Sequence, residues 1–545
     1  MVAKHVRVIT ASIVQWAKPN ITYAVRTKQP IVWLLALLIG VGTAFGAIAF
    51  RETIGLVQLL WLDTRTENVV SAARILPWFT VVLVPAFGGL LIGLFLHFVQ
   101  PGKRPLGVAD VIEGKNEPDR TLRFWPGVGS ALVSASSLGF GSSSGREGPV
   151  VHLGATIASN IARVSQLPRS SHRILLACGV AGAVSASFNA PIAGVLFAHE
   201  VILGHYALSA FSAIVIASGA ATIISRLYFG NIAAFAIPDY QITSYWEFPA
   251  FAILGLVCAA VAILFQYALI GTDYAARSIQ IPVWIRPAIG GLAVGVIAVW
   301  FPQVLGVGYQ ATDLALRDQL PLDLLLTLIV AKTVATAICL ASRFGAGIFS
   351  PSLYLGAMTG GAFGLIAASL FPEMASSGGL YAILGMGAVA AAVIGAPLST
   401  TMIVFELTGG YALSIALLLT VSIATGITIA VHGRSYFYWQ LEARGMAFAD
   451  GPHSQLMRTV RVADFMQRLS PSVEQRPKPL EEGSPRLLAT DSLERSLRVF
   501  DETGLSQVPV VRAAAVSQVI GYALQVDALR HFNSALIAAS IEEHK

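Results

Sequence analysis

The chain has 545 residues, of which 55% are hydrophobic and only 12% charged. A soluble globular protein carries roughly 25% charged residues, so a water-soluble enzyme or binding module is excluded, as the mean hydropathy of +0.69 also argues. The net charge of +6 is modest and gives no reason to expect nucleic acid as a partner.

Residues 1–30 carry Lys4, Arg7, Lys18, Arg26 and Lys28 and no acidic residue, which predicts a cytoplasmic N-terminal segment. No cleavable signal is evident, because the first apolar run starts late and continues as a full span. Apolar stretches then follow at 31–50, 77–99, 208–224, 248–270, 324–341 and 415–431. Each is near the length of about 20 residues that crosses a bilayer as a helix. Residues 228–247 hold Asp239 and Glu247 but no Lys or Arg, which predicts an external loop. Cys178, Cys258 and Cys339 lie far apart in apolar segments and read as small buried residues. Other apolar stretches, at 150–164 and 398–407, are short and begin at Gly/Pro turns, as broken helices do.

Two of those turns are versions of one motif. Gly145-Arg146-Glu147-Gly148-Pro149 is followed by Leu153-Gly154-Ala155; Gly347-Ile348-Phe349-Ser350-Pro351 is followed by Leu355-Gly356-Ala357. Downstream of each, at constant spacing, Gly179, Ala190-Pro191-Ile192 and Glu200 match Gly385, Ala396-Pro397-Leu398 and Glu406. Matched landmarks in the same order predict an internally duplicated membrane fold, and Gly/Pro breaks within it point to a transport pathway.

The tail differs. Charge and proline rise after Arg434, and residues 446–489 read as a linker. Thr490/Asp491 offers an N-cap to a helix with Leu493, Leu497 and Phe500 on one face, ended by Gly504. Strands are predicted at 507–511 and 518–524, then a helix over 527–538.

A helix that starts inside a membrane exposes amides with no intrahelical acceptor, and its dipole adds partial positive charge there. Glycines let the backbone turn and present those amides. The product is an anion site that needs no full positive charge, so the ion is held without being trapped. Gly145, Arg146, Glu147 and Gly148 would build one side, and Ile348 and Phe349 the other. An intramembrane carboxylate is costly unless it functions. Glu147 can occupy the anion position itself and leave it when protonated, serving as gate and proton acceptor.

With these residues the sequence resembles the CLC family of chloride channels and chloride/proton exchangers, over roughly residues 30–445. Gly145–Pro149 and Gly347–Pro351 match two family signatures, and Phe188-Asn189-Ala190-Pro191 through Phe197 and Glu200 match a third stretch. The resemblance implies an all-α polytopic protein, an inverted repeat (31–230 and 247–445) of broken and tilted helices within a domain at 31–445. It also implies a homodimer with one anion pathway per subunit, chloride and protons as partners in the lipid bilayer, and Glu147 as external gate. The plasma (inner) membrane and a cytoplasmic C-terminus are expected. The tail at 490–545 resembles a single CBS motif of α+β type. Its Leu524 stands where that motif carries the threonine of Thr-x-x-Asp, with Asp527 following, which argues against nucleotide binding.

Three departures from the family pattern bear on mechanism. The first pore motif reads Pro105-Leu106-Gly107-Val108-Ala109, placing Leu106 at the usual serine and leaving Gly107 and Val108 as anion-facing backbone. Aligned on Ser435 and Leu441, Phe437 takes the place of the central tyrosine, flanked by Tyr436 and Tyr438. Val201 stands where proton-coupled members often carry an inner glutamate. His199 and His205 lie nearby and titrate near neutrality, although a His in a packed helix is more often structural. Glu147 suits both a chloride/proton exchanger and a passive channel, so both readings stay open, with fluoride export a smaller third. No His-Glu-x-x-His pattern, phosphate loop or nucleophile–base set occurs in the membrane part. We therefore expect no enzyme chemistry, no metal and no cofactor.

Overall fold

A backbone in hydrocarbon must satisfy its own hydrogen bonds, and helices do this within one segment. The computed structural model of the chain follows that rule throughout its apolar part. It describes residues 28–66, 68–115, 122–165, 167–231, 235, 238, 240–345, 347–408, 413–446, 457, 460–469, 484–511 and 519–544. The chain divides into a membrane unit, up to Leu203 and over Ala210–Gln440, and a second unit holding Gly204–Ser209 and the residues from Leu441 onward.

The membrane unit runs through α1 (Gln29–Leu62), α2 (Val69–Ile75), α3 (Trp78–Phe98), α4 (Val108–Gly114), α5 (Phe124–Gly139), α6 (Glu147–Val164), α7 (Arg169–Phe188), α8 (Pro191–Phe197) and α9 (Leu208–Phe229). A second series follows: α10 (Phe248–Ser278), α11 (Arg286–Trp300), α12 (Tyr309–Leu316), α13 (Leu322–Ala341), α14 (Phe349–Leu370), α15 (Gly378–Ile394), α16 (Pro397–Thr408) and α17 (Ser414–His432). Apart from the short α2, which has no counterpart in the second series, the two series follow a similar order of helices, and α18 (Tyr436–Glu442) closes the unit. Among the described residues, eight helices are long and apolar enough to cross a membrane. Of the two short segments expected, 398–407 is the short α16, whereas 150–164 lies in α6, which has 18 residues; α4, α8 and α12 are further short helices.

The duplicated glycines have a packing reason. A Cβ built on Gly154 would lie 2.3 Å from the Gly179 carbonyl, and one on Gly179 would lie 2.3 Å from that of Gly154. In the second series Gly356 and Gly385 stand in the same relation, at 2.2 and 2.3 Å. So α6 crosses α7, and α14 crosses α15, with backbone against backbone, which only small residues allow. A third such crossing joins the series: a Cβ on Gly89 would lie 2.2 Å from the Pro287 carbonyl and one on Gly291 would lie 2.1 Å from that of Pro85. These residues on α3 and α11 repeat at the same separation as Gly145 and Gly347.

Carboxylates tie the short helices together crosswise. Glu200 accepts from the Leu398 and Ser399 amides at 3.0 and 2.7 Å, capping α16. Glu406 accepts from the Ile192 and Ala193 amides at 3.0 and 2.7 Å, capping α8. Each matched glutamate thus neutralises the helix start of the other repeat. Three cysteines are buried and unpaired by disulfides, as read from the sequence.

The second unit contains a four-stranded sheet in the order β1-β4-β3-β2. Its strands are β1 (Gln467–Arg468), β2 (Leu487–Leu488), β3 (Gln507–Val511) and β4 (Val519–Leu524), with α19 (Val462–Phe465), α20 (Leu493–Thr503) and α21 (Gln525–His544). β2 pairs parallel to β3, while β4 is antiparallel to β3 and β1. Phe465, Leu487, Leu493, Phe500 and Val508 share its core. Residues 446–489 therefore do more than connect: β1, β2 and α19 lie within them.

The N-cap expectation is corrected. Ser492 accepts the Arg495 amide at 3.3 Å and caps α20, while Asp491 accepts from Leu488 one turn earlier, at 2.8 Å. Ser492 takes the place because its short hydroxyl sits immediately before the first helical residue, whereas the Asp491 side chain folds back onto the preceding turn. Gly504 ends the helix with φ +67°, as expected. The last helix is longer than predicted and begins directly at the end of β4.

Candidate functional site

The two copies of the motif meet. Gly145 and Gly347 form an isolated antiparallel bridge, in which the Gly145 amide donates to the Gly347 carbonyl at 2.7 Å and the Gly347 amide returns the bond at 2.9 Å. Immediately beyond this bridge α6 and α14 begin, so two helix starts are clamped side by side. A Cβ on Gly148 would sit 3.4 Å from Gly347 Cα and 3.8 Å from Val108 Cγ2. The start of α4 thus joins those of α6 and α14 around one point. Gly145 has no room for a side chain either: its Cβ would lie 2.7 Å from Glu147 Oε2.

Glu147 lies in this junction and is 4% exposed. Its Oε1 accepts a short hydrogen bond from the Ser350 hydroxyl, and the Arg146 Nε is 3.9 Å away. Its Oε2 is buried without a hydrogen-bond partner. A carboxylate with one oxygen held and one orphaned can take a proton at the orphan without breaking the bond that orients it. Arg146 is held in turn: Nη2 donates to the Ser187 carbonyl at 3.1 Å and to the Tyr309 hydroxyl at 3.3 Å. Its guanidinium stacks over the Tyr309 ring at 4.7 Å. Phe349, the counterpart of Glu147 in the second copy, packs its ring on Phe188 with centroids 5.2 Å apart, and Ile348 is buried beside it.

The start of α4 corrects one expectation. The Gly107 amide donates to Asp110 Oδ2 at 2.8 Å, and Arg104 pairs with the same carboxylate at 2.6 Å. That amide is therefore engaged by the protein's own carboxylate, because Asp110 falls at the third helical position, where a side chain reaches back to the cap. Val108, not Gly107, faces the junction. Leu106 is fixed by Ser130, whose Oγ accepts the Leu106 amide at 2.7 Å.

Gly145, Arg146, Glu147, Gly148, Ile348, Phe349 and Val108 thus come together around the bridge. Val201 and Phe437 belong to other elements. Val201 is buried in a π-helical turn (Ala198–Leu203) that continues α8. Phe437 is buried on α18, where Tyr436 stacks on Trp439 with centroids 5.6 Å apart. His199 is buried and stacks on Phe211 at 6.3 Å.

Three residues escaped the sequence reading. Ser350 aligns with Gly148 in the repeat, and that glycine-to-serine difference was its signal. Tyr309 left none, since an aromatic beyond a Gly-x-Gly turn looks ordinary. Lys332 is fully buried on α13, donating to the Val304 and Gly306 carbonyls at 3.0 and 2.9 Å. Its signal was a lone lysine inside an apolar span. It stands behind the motif loop, because the Gly306 carbonyl also accepts the Ser144 amide at 3.4 Å.

Comparison with known proteins fits this arrangement. Residues 88–428 match the family described as voltage gated chloride channel. The chain belongs to the CLC family. A "Putative chloride channel protein ClcB-like" from Ralstonia nicotianae is 34% identical over 389 residues, covering 71% of this chain and 90% of that protein. An "H(+)/Cl(-) exchange transporter ClcA" from Cronobacter sakazakii is 32% identical over 447 residues, covering 78% of this chain and 94% of that protein. Among solved structures, a slow cyanobacterial Cl−/H+ antiporter superposes with a TM-score of 0.68 at 23% identity, covering 76% of this chain and 97% of its own. A CLC-type fluoride/proton antiporter gives 0.61 at 22% identity, covering 73% of this chain and 95% of its own. At these identities the structures speak for the fold. The chain is accordingly a multi-pass membrane protein with the CLC transporter architecture and a small α+β tail.

Proposed function

We propose that this CLC protein moves chloride, or a similar small anion, across the membrane in exchange for protons. Glu147 acts as both gate and proton acceptor. One observation carries the reading: the Glu147 carboxylate lies at the junction of the α6 and α14 starts with Oε2 buried and without a partner. Protonation removes the charge that the helix starts favour, the side chain swings away, and an anion takes its place. The backbone of Arg146, Glu147 and Gly148, with Val108, Ile348 and Phe349, would cradle that ion, the Gly145 amide being committed to the Gly347 carbonyl. Relatives named as H+/Cl− exchange transporters support the coupling.

A passive channel is the second reading, favoured by the apolar residues at Leu106, Phe437 and Val201, where hydroxyl donors and an inner proton acceptor are expected. Fluoride export is a third, because a fluoride/proton antiporter shares the fold; the intact Gly145–Pro149 signature argues for chloride.

The finer assignments go with this proposal. The protein works as a homodimer in the inner membrane with both termini cytoplasmic, and the tail is a CBS-like module that packs rather than binds nucleotide. Asp527 accepts from Gln467 and Arg530 at 3.0 and 3.1 Å and is already engaged, which supports that view.

The decisive measurement is proton uptake into liposomes loaded with high chloride and diluted into low chloride, with no imposed pH gradient. Uphill proton uptake that persists when the voltage is dissipated, and that a proton ionophore collapses, is expected. Chloride efflux without proton movement would establish the channel reading instead.

A further inference from the structure

On the far side of Arg146 from Glu147 lies a small cavity, about 30 Å³, with room for one water- or halide-sized body. Three arginines line it: Arg51 from the second half of α1, Arg65 from the loop after α1, and Arg146 of the motif. Gln58, Tyr309 and Gln310 complete its polar wall, and no carboxylate contributes to the lining among the described residues. Arg65 folds back over Gly55, whose Cβ would meet it at 3.4 Å. Arg51 is anchored by stacking over Phe229 at 4.3 Å. Gln310 is occupied, its carbonyl accepting from the Val70 and Ser71 amides at 3.0 and 3.1 Å.

Gln58 is 7% exposed and lines the same cavity. Its –NH2 supplies donors, and the surrounding guanidinium groups raise the local anion concentration. Arg146 and Tyr309 form the wall between this cavity and the gate, joined by the 3.3 Å hydrogen bond.

We propose that this cavity is a waiting site for a small monovalent anion of chloride size, held by Gln58, Arg51 and Arg65, from which the ion passes Arg146 to the gate. The inference rests on the anion-transport reading and adds a site distinct from the helix starts. Its place, some 20 to 30 residues along α1 from a cytoplasmic N-terminus, puts it at the outer face.

The test uses the full-length chain with bromide as probe. Crystals grown in bromide should show an anomalous peak within hydrogen-bond distance of Gln58 Nε2, and Gln58→Leu should remove it. Arg65 is exposed, so Arg65→Gln keeps the fold testable. In chloride flux from liposomes it should raise the half-saturating chloride about fivefold, with Arg65→Lys restoring most of the loss. A merely structural role would lower the maximal rate or the yield and leave half-saturation unchanged. Bromide at the gate but absent from the cavity overturns the proposal, as does a cavity peak that Gln58→Leu leaves intact. Wild-type protein that holds bromide in the cavity yet moves no chloride would instead sink the transport reading and leave this site standing.

Discussion

The two copies of the Gly/Pro motif have nearly the same backbone and opposite chemistry. Both begin at a glycine of the Gly145–Gly347 bridge, and both start a helix at the same junction. The first carries Arg146 and Glu147, a buried charged pair with partners in three other elements. The second carries Ile348 and Phe349, which pack, and Ser350, which donates a hydroxyl to the charge opposite. Duplication supplied two equivalent helix starts, and only one carries the carboxylate proposed as the switch. The other supplies the frame around it, which is why the backbone landmarks repeat and the titratable residue does not.

The largest effect should come from the shared frame. Gly356→Val and Gly154→Val would each drive a branched side chain into a carbonyl some 2.2–2.3 Å from where its Cβ must sit. Neither crossing can open without separating two packed helices, so each change should cost more than about 4 kcal/mol. The expected outcome is loss of monodisperse protein on size-exclusion chromatography for both. Gly219→Ala, which meets nothing within 4 Å, should behave as wild type. If only one of the two valine variants fails, the repeats are not equivalent as frames.

Next comes the switch itself. Glu147→Gln keeps the side chain's size and fixes it in a neutral form, so proton movement should fall at least about tenfold while chloride flux persists. Proton uptake and chloride efflux measured on the same liposomes check this. Coupling that survives the change would remove Glu147 from its assigned role.

What the sequence disclosed follows the same division. The landmarks Gly154, Gly179, Gly356 and Gly385 were legible because a backbone crossing tolerates no side chain, so the requirement is written in residue identity. Glu147 was legible because a carboxylate in an apolar segment has few bland explanations. Ser350 and Tyr309 were not, since their roles depend on partners 203 and 163 residues away, and a hydroxyl is common in such helices. The Gly107 amide was misjudged for a related reason. Whether an exposed helix start faces a ligand or its own third residue depends on the Asp110 rotamer, which spacing does not settle. In the tail, β1 and β2 are two residues each, too short for alternation to reveal them.

Ser350→Ala tests the frame's hold on the switch. Losing the hydroxyl removes the side-chain hydrogen bond that holds Glu147 Oε1 in the junction. A bond to a charged group contributes roughly 1.5–3 kcal/mol, and part of that should be regained from water or neighbouring amides. The gate should then open more readily, with chloride turnover at neutral pH rising about two- to tenfold and the protein still folded. Unchanged turnover would mean the amides alone hold the carboxylate, and the second copy would be a frame by its backbone only.

The smallest effect should fall on the crossed caps, and there the two repeats should behave alike. Glu200 and Glu406 each accept two amides, at the same pair of distances, from the start of the other repeat's short helix. A glutamine in either place keeps one acceptor oxygen and turns an –NH2 group toward the second amide. One bond is lost per site, about 1–3 kcal/mol before relaxation, which should lower the thermal midpoint by a few degrees. Because α8 and α16 pack on each other, the double variant should depart from the sum of the singles. Proton coupling should not change in either single variant, since both carboxylates are already committed to helix ends. Glu200 precedes Val201, the position where the family resemblance leads one to expect an inner proton acceptor, so this symmetry has a sharp consequence. If Glu200→Gln abolishes coupling and Glu406→Gln does not, the first repeat holds a second titrating group, and the proton leaves the gate through Glu200.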